Sequence, residues 1–317
     1  MDIFLAIEAF VSVAETQNFA ETARRMRLSK SVITTRIQQL EEFVGTPLFH
    51  RNTRNVQLSE VGQAFVHECA ELVQRTDQLV DQMRGHQGAV AGRLRIHALP
   101  GFVLGRMGAY LREFQAQYPA ILLDLVVNDA VVDPVKAGVD CALQIFEPSS
   151  DELIGREVFS VRRVFCASPD YLQRHGIPQT PRDLYEHTLG LYSGYPTRDR
   201  WIFDGPNEQV ALDLKPALRS NSVHLLKEYA CEHAGIACLP TLVASDAILA
   251  GQLQIVLGDW RLSSFPFSVV YARSHRGGVK LRLFIESLLA NFSGEPPWDR
   301  ALTERGLLPP LQSDIVR

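Results

Sequence analysis

The chain has 317 residues, 46% of them hydrophobic and 21% charged, and a net charge of −4. That length exceeds one ordinary core and predicts two or more domains, and the acidic balance means that any nucleic-acid contact must come from a local patch. Five cysteines (Cys69, Cys141, Cys166, Cys231, Cys238) are scattered, odd in number and without a C-x-x-C pair, which argues against a disulfide framework and against a zinc site.

In chain order, the N-terminal apolar stretch begins after Asp2 and is interrupted by Glu8, unlike a signal peptide. No apolar run approaches the roughly 20 residues of a membrane helix, so a cytoplasmic protein with no membrane partner is expected. Residues 2–16 carry helical periodicity through Phe4, Ile7, Phe10, Val11 and Ala14. Asn18 to Glu21 reads as a capping box, with Glu21 reaching back to the Asn18 N-cap. A short helix from Phe19 to Met26 follows, then a tight turn, then Ser29 as the N-cap of a third helix to about Val44. Ile33, Ile37, Leu40 and Val44 make the core stripe of that helix. Ser31, Thr35, Gln38 and Glu42 lie opposite this stripe, with Lys30 and Thr34 nearer the flank, and the N-terminal end of this outer face is a small, hydrogen-bonding surface suited to a major groove. Between Arg24 and Arg36 there are five basic residues and no acidic one, although residues 1–62 hold seven of each sign. The segment is therefore polarised rather than basic, as a phosphate footprint requires. Two short strands, Leu48 to His50 and Val56 to Leu58, flank a basic tip of Arg51, Asn52, Thr53 and Arg54.

The stretch from Phe10 to Gly62, with AFVSVAE, NFAETARRM, LSKS, IQQLEEFVGTPLFHR and LSEVG, resembles the DNA-binding domain of LysR-type transcriptional regulators. The resemblance covers this region without a gap and implies a winged helix-turn-helix over residues 1–58. The side chains expected to touch bases are Lys30, Ser31, Thr34, Thr35 and Gln38, with Ser29 and Asn52 and Thr53 of the wing beside them. Arg36, Arg51 and Arg54 are expected to hold phosphates. Lys30 and Thr35 depart from the Gln and Arg common in the family, so the target sequence is this chain's own.

From Ser59 to about Gly85 a single helix is predicted, roughly 40 Å long at 1.5 Å per residue. Phe65, Cys69, Leu72, Thr76, Leu79 and Met83 form an a/d seam, broadened by Val61, Val73 and Val80. The resemblance implies a homodimer through this helix, or a dimer of dimers, and two-fold symmetry then implies an inverted-repeat operator in double-stranded DNA. Residues 86–92 are expected to be the hinge, which closes a linker region of 59–91.

Beyond Gly92, strands at residues 93–98, 121–127 and 141–145 alternate with a helix from Val103 to Tyr118 and a short helical piece at Val135–Ala137, predicting an open, largely parallel α/β sheet. A second unit begins near Val161. It contains a helix from Ser222 to His233 and a strand and tight turn at residues 235–240; a strand at 267–271 follows, and a closing helix from Leu281 to Phe292 is expected to return to the first lobe. The motifs RLRI, DCALQIF, FCASPDYLQRHGIPQTPRDL and SNSVHLLKEYACEHAGIACLP resemble the effector-binding domain of the same family. This implies a two-lobed, periplasmic-binding-protein-like α/β domain over residues 92–293. Lobe I would take about 92–161 and 268–293, and lobe II about 162–267. Residues 294–317 are left as a surface-docked or mobile tail.

Ligands of such sheets sit beyond the strand C-termini, here between the lobes. The candidates are the turn Ala98, Leu99, Pro100, Gly101 and Phe102, then Asn128, Phe146 and Ser193, with Asn221 and Ser222 at a helix start. Ala98 stands near where relatives often carry Ser or Thr, which leaves an apolar turn and argues against a strongly anionic effector.

No G-x-S-x-G, H-E-x-x-H, G-x-G-x-x-G or Walker A stretch is present, and the histidines lack metal-ligand spacing. The expectation is a non-enzymatic transcription regulator without cofactor or metal, whose partners are DNA, a small-molecule effector, itself and RNA polymerase. A solute-binding protein or an enzyme built on the two-lobed domain is the alternative.

Overall fold

The computed structural model describes residues 2–50, 56–85, 90–145, 150–195, 200–273 and 278–310. Outside them lie the expectations for Arg51, Asn52, Thr53, Arg54 and Phe146, and the hinge at 86–89.

Helix α1 (Ile3–Thr16) is capped by Asp2, whose carboxylate accepts from the Phe4 and Leu5 N–H groups at 3.1 and 3.2 Å. Helices α2 (Phe19–Arg25) and α3 (Lys30–Val44) follow, and Arg27 turns the chain between them at φ 54°. Asn18 caps α2 through the Ala20 and Glu21 N–H groups, at 2.9 and 3.2 Å. The reciprocal half of the expected capping box is missing: the Asn18 N–H turns to Thr16 Oγ1 at 3.3 Å, and Glu21 pairs with Arg24 one turn on. A cation at i+3 is a stronger partner for Glu21 than a backbone N–H that already has a nearer acceptor.

Phe10, Ile33, Leu40 and Leu48 are fully buried where the three helices meet. The wing strands β1 (Phe49–His50) and β2 (Gln57–Leu58) pair antiparallel beside this core. Helix α4 (Glu60–Gly85) then leaves the domain. Its first a/d positions correct the expectation of a continuous seam for a partner helix. Phe65 stacks 5.8 Å from Phe10, Cys69 is buried in the same core, and Val66 and Val73 pack against it. The helix buries its nearest apolar face on its own domain first, leaving Leu72 facing outward at 48% exposure.

The C-terminal region forms two five-stranded sheets. The first, ordered β4-β3-β5-β15-β6, joins β3 (Gly92–Ala98), β4 (Ile121–Val127), β5 (Cys141–Ile145), β6 (Leu153–Val161) and β15 (Phe265–Ala272). The second, β11-β8-β12-β7-β13, joins β7 (Arg163–Ala167), β8 (Leu189–Tyr192), β11 (Leu218–Ser220), β12 (Ile236–Pro240) and β13 (Gln254–Val256). A small antiparallel sheet of β9 (Arg200–Asp204), β10 (Gln209–Asp213) and β14 (Arg261–Leu262) flanks it. In each large sheet four strands run one way and one is reversed, β15 in the first and β7 in the second, so antiparallel pairings stand beside the parallel ones and the sheet is mixed rather than largely parallel. The reason lies in the crossings. The chain passes between the lobes from β6 into β7 and returns through β15, and it is β7 and β15 that run against the other strands of their sheets.

Helices α5 (Pro100–Gln117) and α9 (Val279–Phe292) cover the first sheet, where Tyr110 donates to the Phe284 carbonyl at 3.1 Å. Helix α5 starts earlier than expected because it kinks at Leu104 and Gly105, the latter at φ 85°. Residues 135–137, expected as helical, form a turn: Asp133 Oδ1 accepts from the Val135 N–H at 3.0 Å, and Gly138 follows at φ 62°. On the second sheet lie α6 (Pro169–His175) and α7 (Val223–Cys231), together with α8 (Thr241–Leu249), which replaces the tight turn expected after Pro240.

The described part of the tail, residues 294–310, is not a surface appendage. Helix α10 (Pro297–Glu304) buries Trp298, Asp299 and Leu302, and Leu308 is buried after it. Trp298 sits 5.1 Å from Phe159 and 6.1 Å from Phe292 of the first lobe. Arg305 donates to the Leu249 carbonyl of the second lobe at 3.2 Å, and Arg162 at the crossing donates to Pro309 at 2.7 Å. The tail thus straps the two lobes together from behind.

Burial pushes the Asp299 carboxyl up to about 6 against the opposing pull of Thr241 and Arg162. A carboxyl raised on folding binds a proton more tightly in the folded state, so its ionisation costs stability as pH rises from 3.8 through 6. Asp299→Asn is expected to gain about 1 kcal/mol at pH 7.5, an advantage that shrinks by pH 4.5. Thermal melts at both pH values test this, and a variant less stable at pH 7.5 would show that pairing with Arg162 dominates.

Candidate nucleic-acid interface and effector cleft

Helix α3 presents its two faces as its sequence pattern demands. Ile33, Ile37 and Leu40 are buried, whereas Lys30, Ser31, Thr35 and Gln38 are exposed and Thr34 and Arg36 are partly so. Ser29 caps the helix by accepting from the Val32 N–H at 3.4 Å, and its hydroxyl also pairs with that of Ser31 at 2.9 Å. Thr34 donates back to the Lys30 carbonyl at 2.9 Å. Three of the expected contact hydroxyls thus already have partners within or at the start of the helix, while Lys30, Thr35 and Gln38 lie on its exposed side.

Electrostatics sharpen the patch further. Arg24 is paired with Glu21, and Arg25 with Glu15 at 2.7 Å. Of the five clustered basic residues, Arg27, Lys30 and Arg36 then carry the positive field nearest the α3 N-terminus, where the helix dipole has the same sign. The wing is fixed relative to α3 by Glu41, whose Oε1 accepts from Leu48 and Phe49 N–H groups at 2.8 and 3.2 Å. Ser59 adds a bond to the Pro47 carbonyl at 2.8 Å and caps Gly62 at 2.9 Å.

The same region touches the sensing lobe. Glu15, at the end of α1, accepts from Arg25 of α2 and from Arg95 of β3. Arg95 is in turn placed by its backbone N–H to Asp140 Oδ2 at 2.7 Å and by Asp124 at 3.4 Å.

Between the lobes lies a narrow cavity of about 40 Å³. Of the candidates named for an effector cleft, Leu99, Gly101 and Phe102 line it. Ala98, Pro100, Asn128, Ser193, Asn221 and Ser222 do not. Ala98 is buried in its strand, and Asn128 Oδ1 is held by His97 Nε2 at 2.9 Å and by the Ala130 N–H at 3.0 Å. The Ser193 N–H donates to the Ser220 carbonyl at 2.9 Å, and Ser222 caps α7. Their neighbours line the space instead: Asp129, Tyr192 and Val223, joined by Ile145, Val161, Tyr195, Pro240, Leu242, Phe265 and Phe267. The signal for these residues was present as aromatic and apolar side chains at strand ends, but an alternating strand does not say which neighbour faces inward.

Burial raises the pKa of Asp129 with His224 opposing, and burial with the charge of Asp129 raises that of Tyr192. Behind the wall, the Arg163 guanidinium lies 4.5 Å from the Tyr195 ring and 4.4 Å from that of Phe265, donating to the Ser263 carbonyl at 2.7 Å. Burial also pushes the Cys238 thiol up to about 12 and raises that of Cys231. Cys238 lies on β12 and Cys231 on α7, as the reading of two small packed side chains expects, and neither has the lowered pKa of a reactive thiolate. Among the described residues no cluster of His, Cys, Asp or Glu has metal-holding geometry, and no helix is long and apolar enough to cross a membrane.

A winged helix-turn-helix joined to a two-lobed sensor defines the class of effector-responsive DNA-binding regulators. Residues 4–63 match the bacterial regulatory helix-turn-helix of the lysR family and residues 87–293 the LysR substrate binding domain, so the chain belongs to the LysR family of transcriptional regulators. It is 29% identical over 281 residues to an uncharacterized HTH-type transcriptional regulator of Haemophilus influenzae, covering 89% of this chain and 98% of the relative. It is also 28% identical over 290 residues to the HTH-type transcriptional regulator PtxR of Pseudomonas aeruginosa, covering 91% and 92%. Among solved structures, CrgA, a LysR-type regulator from Neisseria meningitidis, matches with a TM-score of 0.60 at 25% identity over 91% of this chain and 98% of that one. The full-length AphB virulence activator of Vibrio cholerae shares the fold at a TM-score of 0.61 and 24% identity, over 90% and 98%.

Proposed function

We propose that this regulator reads an inverted-repeat operator with Lys30, Thr35 and Gln38 of α3, as a homodimer or dimer of dimers whose half-sites are set by α4. The carrying observation is the exposed polar N-terminal face of α3, opposite a fully buried Ile33–Ile37–Leu40 stripe. Arg36 holds a phosphate, with Arg51 and Arg54 of the wing completing the grip. Leu72, outward on α4, supplies part of the contact between copies. An effector entering between the lobes changes their closure and hence the spacing of the two DNA-reading domains. The protein acts in the cytoplasm, without enzymatic turnover, and RNA polymerase is its further partner at the promoter.

Footprinting on the DNA flanking the gene, titrated against salt, tests this reading. A protected inverted repeat is expected, with a steep salt slope. Thr35→Ala is expected to relax base preference by about 1 kcal/mol without changing the slope, whereas Arg36→Ala weakens all sequences alike and lowers the slope by about one. Absence of protection at low salt on any locus would refute the reading.

A further inference from the structure

Of the residues lining the cavity between the lobes, Asp129 alone carries a formal charge. It follows β4 on the first lobe, and across the slot stand Tyr192 and Val223 of the second. The turn that holds it is pinned: Asn128, one residue before, takes the His97 imidazole and the Ala130 N–H on the same Oδ1 at 2.9 and 3.0 Å. The backbone that carries Asp129 is therefore held in place at the rim. Five aromatic side chains make up much of the rest of the lining, which is almost wholly apolar. The Arg163 guanidinium is behind the wall, stacked on Tyr195 and Phe265 and bonded to Ser263, and that of Arg106 is turned to the Leu242 carbonyl and Ser245.

Resting on the reading that effector binds between the lobes, we propose that Asp129 is the specificity determinant of this cleft, selecting a small, mostly apolar ligand with a neutral or cationic hydrogen-bond donor and rejecting carboxylates. A ligand carboxylate here would leave water for an apolar slot and face a like charge, with no Lys or Arg among the described lining residues to offset either loss. A hydroxyl or ammonium would instead give Asp129 a donor, and an ammonium would also meet the faces of aromatic rings. The volume seen, enough for about three waters, means that a ring-sized ligand parts the lobes as it enters, which is the motion a sensor needs.

The test uses three probes of matched shape, benzyl alcohol, benzylamine and benzoate, titrated into the full-length protein with thermal shift and calorimetry as readouts. Benzyl alcohol and benzylamine are expected to stabilise the protein saturably, and benzoate to bind at least about tenfold more weakly. In Asp129→Asn the gap is expected to close to within about threefold, because the repelling charge is gone while the shape is kept. A loss of structural support alone would weaken all three probes together and leave their order unchanged.

Preference for benzoate in the wild type would put Arg163 rather than Asp129 in control and overturn the proposal, as would the absence of any saturable shift with the alcohol and the amine. Val223→Phe, which fills the slot, separates this failure from that of the underlying reading. Benzoate binding that is lost in Val223→Phe keeps the cleft and discards the assigned class. Probe binding that survives Val223→Phe undamaged removes the cleft itself as the binding place.

Discussion

Replacing Phe102 with Ala is expected to destabilise the sensing domain by about 3–5 kcal/mol, lowering its melting temperature by about 10 °C at the 2–4 °C per kcal/mol typical of this size. Phe102 is 1% exposed and sits in the first turn of α5, before the kink at Leu104. Its ring centroid lies 4.6 Å from Phe267, 5.2 Å from Phe292, 5.5 Å from Phe159 and 6.3 Å from Trp298. These partners come from a central strand, the closing helix, the crossing strand and the tail, so no single element can move in to fill the void. The same ring lines the cleft on its other side. Scanning calorimetry of the full chain checks the magnitude, and a fall under about 3 °C would mean that the tail repacks into the gap.

Gly62→Ala is expected to act on the other domain. An added Cβ at Gly62 would stand 2.1 Å from the backbone oxygen of Leu48 and 3.2 Å from Leu58 Cδ2. The colliding atom belongs to backbone, not to the free end of a side chain, so relief requires α4 to lift away from the wing. That movement breaks the Ser59 contacts that fix the wing and disturbs Phe65 and Cys69, both packed into the helix-turn-helix core. Overpacking of this kind costs roughly 1–3 kcal/mol and occasionally more, and a backbone clash belongs at the upper end. The measurable signature is a selective one: DNA affinity and the melting of the N-terminal domain fall, while cleft-ligand binding by the sensor keeps its wild-type strength. An unchanged N-terminal transition would show that α4 tilts at no cost.

Much of the DNA-reading half was legible because its elements are amphipathic and its turns are short. The 3.6-residue period of Ile33, Ile37 and Leu40 is the period of a helix with one wet face, and Asn18 and Ser29 mark the starts of their helices by their own chemistry. Helix α8 was illegible for the opposite reason. Thr241 to Ser245, Ala247 and Ile248 are all buried, so no stripe distinguishes a face. The hairpin of β9 and β10 did carry a readable signal, Trp201 and Phe203 against Val210 and Leu212 in strict alternation around Gly205 and Pro206. At the cleft, the sequence pointed to strand ends but stood one residue off at Asn128, Ser193 and Ser222, because the side a residue takes at the end of a strand depends on twist and on what the next turn requires. The tail was the largest surprise: its prolines suggest an extension, yet Trp298 and Leu302 are core side chains.

The contact of Glu15 with both Arg25 and Arg95 has a genetic consequence. Since α2, α1 and β3 meet on one carboxylate, an allele altered at Glu15 or Arg95 is expected to change promoter output even though neither residue belongs to the proposed base-reading set or to the cleft lining. Mutants selected for effector-independent expression should therefore include a group that maps to this junction, and a charge-restoring change on the opposite side should suppress them. An epistasis map of the gene would show that group as a cluster separate from both the operator-reading and the ligand-reading alleles.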